Sequence, residues 1–123
     1  MFFLDTIDPA GIVVFMSFAV ELLRSIAALD RIAFKKHSIL RMRQRNITVD
    51  DVKWVLLQTV KIIEEYPADR PLPSGLILGY DKDGRALHVV IALDEAEPML
   101  WVITVYEPNL NDWEEGFERR RES

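Results

Sequence analysis

Residues 76–106 confine the fold more than any other stretch, because three runs of strand-forming residues follow one another across short turns. Leu76–Tyr80 and Arg85–Leu93 flank Asp81-Lys82-Asp83-Gly84, a strong hairpin signal. Asp94–Pro98 then turns the chain into Met99–Tyr106. With Lys61–Tyr66 before them, across a loop marked by Pro67, Pro71 and Pro73, these runs predict a four-stranded antiparallel meander.

Upstream the period changes to three and four, which is helical. Val20, Leu23 and Ala27 recur beside Ala19, Leu22 and Ile26, predicting a helix over roughly 18–29. Asp8-Pro9 and Ser17 are candidate caps further upstream, Gly11–Phe15 suits either strand or helix, and Met16 offers a second start. Arg31–Lys35 reads as a short strand, and a helix from about Lys36 to Arg45 stops at Asn46, a residue that tolerates left-handed geometry. Thr48 caps the next helix, with Asp51 at the capping-box position and Ile47 and Val52 as its staple. That helix should run to about Thr59 and bury Val52, Val55, Leu56 and Thr59 on one face. After the strands, Asn111 is placed to cap a last helix, with Glu114 in the box position and Trp113 and Phe117 four apart for packing. The fold class is therefore α+β, with helices layered on one face of a roughly four-stranded antiparallel sheet and a helix closing the C-terminus. Residues 1–30 read as an N-terminal helical extension to a domain over 31–123.

Composition narrows the chemistry. The 123 residues contain no cysteine, which removes disulfide scaffolds, thiol catalysis and cysteine metal sites. Two histidines, His37 and His88, are too few for a histidine-rich metal centre, so neither metal nor cofactor is expected. The longest uncharged run near the start, Pro9–Val20, is 12 residues, against the ~20 that a membrane span needs. It also lacks the basic flank of a secretory signal, and the reading is a soluble cytoplasmic protein. The net charge of −5 hides a segregation: Arg31–Arg45 holds six basic residues and no acid, leaving nine basic and 20 acidic residues elsewhere. Such a cluster is either a solvated helix face or an anion site.

Alternation along the strands sorts the side chains by face. Leu87, Val89, Ile91 and Leu93, with Leu76, Leu78 and Tyr80, form the heavier apolar set and are the candidates to pack on helices. Trp101, Ile103 and Val105 oppose Val102, Thr104 and Tyr106. The other face then gathers His88, Thr104, Tyr106 and Gly79. A symmetric turn near residue 96 sets Thr104 across from His88 with Tyr106 diagonal to it. A two- or four-residue hairpin loop keeps Gly79 on the same face, where its missing side chain leaves room beside the imidazole. Taken singly, a strand histidine is more often a satisfied, half-buried one. On the basic helix, His37, Arg41 and Arg45 fall at i, i+4 and i+8 and form one stripe. Two proton carriers beside guanidinium forks are what metal-free phosphodiester cleavage asks for.

His37-Ser-Ile-Leu-Arg41-Met-Arg-Gln-Arg45-Asn-Ile47, followed by Val49-Asp-Asp-Val52, resembles the H-x-x-x-R-M-x-x-R-x-I-x-x-x-D-V opening of domain-of-unknown-function family 4258. Tyr66, Arg70-Pro71, Pro73-Ser74, Leu78-Gly79, Leu87-His88-Val89-Val90 and Ile103-Thr104-Val105-Tyr106-Glu-Pro108 extend the likeness over roughly residues 31–120. The family looks like a relative of the RelE-type toxin superfamily. That resemblance implies a small helix-plus-sheet domain and, in some members, metal-independent cleavage of RNA by attack of the 2′-hydroxyl. Carried over by position, it implies His88 and Tyr106 as proton carriers and Arg41 as the group facing charge on phosphorus. His37 would be a second proton carrier or orient Arg41, while Arg45, Thr104 and Gly79 would contact substrate. RNA, on or off the ribosome, is the implied ligand, and an antitoxin-like protein the implied partner. Two departures stand out: toxins of this type are usually basic, and the first 30 residues have no counterpart in the family pattern. The rival reading is a non-catalytic module of the same fold that docks a protein, either an antitoxin-like segment or a gyrase-type target.

Overall fold

The computed structural model describes residues 6–7, 13–14 and 20–122. Strands β1 (Thr6–Ile7) and β2 (Val13–Val14) pair antiparallel, the second inside the ambiguous 11–15 stretch. Asp8-Pro9, Met16 and Ser17 lie outside the described residues. Helix α1 (Val20–Ala28) buries Leu23, Ile26 and Ala27, the spacing that its sequence announces. Asp30 takes a left-handed φ of 57° and turns the chain into strand β3 (Ile32–Phe34).

Helix α2 (Lys36–Gln44) starts with no side-chain cap on Lys35 and stops before Asn46, which is left-handed at φ 58° as expected. Helix α3 (Val49–Leu57) opens on the expected capping box: Thr48 Oγ1 accepts from the Asp51 amide at 2.9 Å, and Asp51 Oδ2 accepts from the Thr48 amide at 2.9 Å. It stops two residues early. Gln58 is extended, so Thr59 is exposed rather than buried and Val60 takes the core position.

Strands β4 (Lys61–Tyr66), β5 (Ser74–Tyr80), β6 (Ala86–Asp94) and β7 (Met99–Tyr106) form the antiparallel meander. The sheet has a fifth strand, however. β3 joins the far side of β7 in parallel, giving the order β3-β7-β6-β5-β4 and a mixed sheet. Helices cover one face. Val52, Val55 and Leu56 of α3 and Leu23 and Ile26 of α1 meet Ile77, Leu87, Val89, Ile91, Leu100 and Val102, all buried. Burying each such side chain is worth ~1.5–3 kcal/mol, so α1 shares one core with the sheet.

Two local irregularities reverse the expected faces. The β5–β6 turn is a three-residue loop, Lys82–Gly84, closed by left-handed Gly84 (φ 84°), with Asp81 N donating to Arg85 O at 3.0 Å. An odd loop pairs Gly79 with Leu87 and Leu78 with His88. Gly79 therefore faces the helices, and Leu76 and Leu78 face away from them. On β7 a bulge at Ile103 inserts one residue between Val102 and Thr104, so Val102 and Val105 share the helix side while Trp101 and Tyr106 share the other.

The expected C-terminal helix is also absent. Asn109, not Asn111, starts one turn, its Oδ1 accepting from the amides of Asn111 (2.9 Å) and Asp112 (3.1 Å). Gly116 (φ 92°) and Phe117 (φ 61°) then take left-handed backbone that a helix cannot continue through. Residues 107–122 fold back instead as an irregular segment, with a single antiparallel bridge between Trp113 and Arg120. No described helix is long and apolar enough to cross a membrane.

Candidate functional site

His88 and Tyr106 are brought together more closely than expected. The β7 bulge makes them direct cross-strand partners, and His88 Nδ1 lies 3.1 Å from the Tyr106 hydroxyl. Thr104 is displaced to a position opposite Val90. The imidazole, however, opens onto no hollow. It is 0 % exposed, with Trp113 edge-on at 4.4 Å and Nε2 2.8 Å from the Phe117 carbonyl. A carbonyl only accepts, so Nε2 carries the proton and bare Nδ1 accepts from Tyr106. Burial holds the imidazole below its ordinary pKa, with Arg120 adding to the effect and the Phe117 carbonyl and Glu64 opposing it. Burial likewise pushes the Tyr106 phenol up.

The cover over this pair is the C-terminal segment, pinned to β4 by charge. Arg120 grips Glu64 with two nitrogens, Nε at 2.7 Å and Nη2 at 3.1 Å, and lies over the Trp113 ring at 4.6 Å. The guanidinium holds the Glu64 carboxyl below its usual range, and Tyr66 donates to the same carboxylate. Lys61 pairs with Glu118 at 2.8 Å. Trp113, Phe117, Glu64 and Arg120 were missed as partners of His88. The legible signals were Gly116 and the charged run 118–121, which complements Lys61 and Glu64.

The basic helix stands apart from this pair. Arg45 donates to the Val105 carbonyl at 2.7 Å and reaches Thr104 Oγ1 at 3.5 Å, closing the free edge of β7 beyond β3. Ser38 donates to the Lys35 carbonyl at 2.7 Å and reaches the Val102 carbonyl on the same edge at 3.4 Å. His37 and Arg41 are exposed, with no hydrogen-bond or ion-pair partner among the described residues. The stripe therefore divides: Arg45 serves the fold and meets Thr104, while His37 and Arg41 point to solvent. Gly79 contributes to neither, since it faces α3.

Charge is distributed unevenly among the pairs. Lys53, Lys61, Arg85 and Arg120 each hold an acid, Arg85 at 3.0 Å from Asp81 while also donating to the Asn46 carbonyl at 3.1 Å. None of the six basic residues in 31–45 forms an ion pair among the described residues. Lys35, Lys36, Arg41 and Arg43 are exposed, with Leu40, itself 54 % exposed, between them. The result is an uncompensated cationic ridge. No group of three or more His, Cys, Asp or Glu suited to a metal occurs among the described residues.

Neither a curated protein nor a solved structure gives a match. A family model does: Domain of unknown function (DUF4258) matches residues 34–107, from the end of β3 to the residue after β7. That span holds the whole of α2 and the His88–Tyr106 pair, and the chain belongs to this family.

Proposed function

We propose that the chain is an RNA-binding domain related to the RelE-type toxins, gripping the phosphate backbone along α2. One observation carries this reading: six clustered cations have no counter-ion among the described residues, in a molecule whose other residues carry 20 acids. Unpaired surface cations cost little to keep hydrated, and phosphates supply the missing partners with release of bound counter-ions. Helices on one face of an antiparallel β4–β7 sheet accord with the RelE-type relationship.

Cleavage through 2′-hydroxyl attack is a second reading, favoured by the hydrogen bond from Tyr106 to bare Nδ1 of His88. A phenol backed by an imidazole can pass a proton between substrate and ring. In the described conformation Phe117 and Trp113 occupy the approach to that imidazole, so binding is the better supported activity.

Fluorescence anisotropy with a labelled single-stranded RNA tests the proposal between ~50 and ~200 mM salt. Affinity should fall linearly on logarithmic axes, with a slope of ~0.7 per neutralised phosphate. Combining Arg41→Ala with Arg43→Ala should weaken binding and flatten that slope. Binding that ignores both salt and these substitutions would refute the ridge. For the second reading, cleavage in chelator is followed on gels, where His88→Ala should cost ~10²–10³ in rate if the pair is catalytic. Capture of a protein partner without RNA binding would favour the docking module instead.

A further inference from the structure

Away from the C-terminal segment, the helix-free face of the sheet carries a groove of about 620 Å³ over β6 and β7. Val90, Ala92 and Ile103 line its floor, and Trp101 stands among them with only alanines, Ala92 on β6 and Ala33 on β3, as its cross-strand partners. Trp101 is partly exposed, and its indole N–H meets no acceptor among the described residues. On the rim, Arg70 is engaged by the Ala68 and Asp69 carbonyls at 2.9 and 3.0 Å, while Asp69 accepts from Ser74. Lys35 and Asp94 remain: among the described residues the lysine has no ion-pair partner and Asp94 accepts only the Glu97 amide, through Oδ1 at 3.2 Å.

Lys35 is also the residue that precedes α2, so the groove mouth and the cationic ridge share it. We propose that the groove takes one unstacked nucleobase of the RNA held along α2, a step that rests on the RNA-binding reading above. Trp101 supplies the aromatic surface, as in proteins that read splayed-out bases of single strands. Lys35 holds the adjoining phosphate, and the free Asp94 oxygen accepts from the base's amino group. An aliphatic peptide side chain would use the apolar floor but neither rim group. A nucleotide uses both.

The test compares the full-length protein with its Trp101→Ala and Trp101→Phe variants, on a short labelled RNA and on the same RNA with one abasic position. Loss of a stacked base should weaken binding ~10-fold, in the range reported for aromatic-to-alanine changes at such platforms. Trp101→Ala and the abasic RNA should each show that loss and, combined, lose no more than either alone. Trp101→Phe should recover most of it and also reports that the fold is intact. In parallel, a guanosine monophosphate titration should shift the Trp101 indole signal in an ¹H–¹⁵N spectrum and leave those of Trp54 and Trp113 in place. If Trp101→Ala and abasic RNA both bind like their parents while Arg41→Ala still weakens binding, the groove assignment is overturned and the ridge stands. If the parent protein binds no RNA, both fall together. An indole signal moved by an apolar peptide but not by the nucleotide would assign the groove to protein docking and overturn the proposal.

Discussion

At Gly79 a methyl group has no room. A Cβ there would stand 2.4 Å from Val55 Cγ1 and 3.2 Å from Val60 Cγ1, and the nearer valine is fully buried on α3. Val55 is β-branched and stiff, so the helix must shift to accept it. Gly79→Ala should therefore destabilise the fold by ~1–3 kcal/mol, read as a lower urea midpoint. His88 makes a different prediction. Its folded pKa lies below the ordinary value of 6.5, so the unfolded chain takes up the proton first. The stabilising contribution is complete above about pH 6.5 and is lost as pH falls below it. Urea midpoints from pH 8 to 5 should fall through that window in the parent and stay flatter in His88→Phe. Glu64, also lowered when folded, loses its contribution further down, as pH falls below its ordinary 4.5. Arg120, Tyr66 and Tyr106, the other charged or titratable groups around His88, do not change protonation in this range.

Among the elements, α3 is held at its start by local chemistry. Thr48→Ala removes the capping oxygen and should cost ~1 kcal/mol in thermal or urea unfolding. The C-terminal segment is held by buried Trp113 and the His88–Phe117 hydrogen bond, with exposed charge added at its end. Arg120→Ala should change global stability little, since such pairs are worth ~0–1 kcal/mol, yet speed amide exchange across 107–122. The contrast explains what could be read from the residues alone. Capping box, helix period and hairpin signal are encoded within a few positions, and Thr48, Leu23 and Gly84 all sit where their patterns place them. Side-chain direction beyond a turn is not local: one inserted residue at Ile103 and one odd loop at Lys82–Gly84 each reverse a face. Gly79 thereby moved to the helix side and Tyr106 moved opposite His88. The C-terminal helix failed for a related reason, because Gly116 and Phe117 are committed to left-handed backbone by the carbonyl that His88 requires.

At the scale of the whole molecule, position of charge should matter more than its sum. Replacing Arg41 and Arg43 by glutamate takes the net charge from −5 to −9. The same change made at Lys82 and Arg119 is electrically equivalent but lies outside the ridge. Anisotropy should show RNA binding abolished by the first pair and only modestly reduced by the second. The six cations of 31–45, unpaired among the described residues, also have an effect before any contact is made. An acidic body with one positive edge has a large permanent dipole, and a polyanion arriving from most directions is turned away. The approach along the ridge is attractive, and its reach is set by the ionic atmosphere, ~8–10 Å at physiological salt. On the RNA-binding proposal, orientation is thus chosen in solution, so that α2 would lead and the acid-rich flanks trail when the two surfaces first touch.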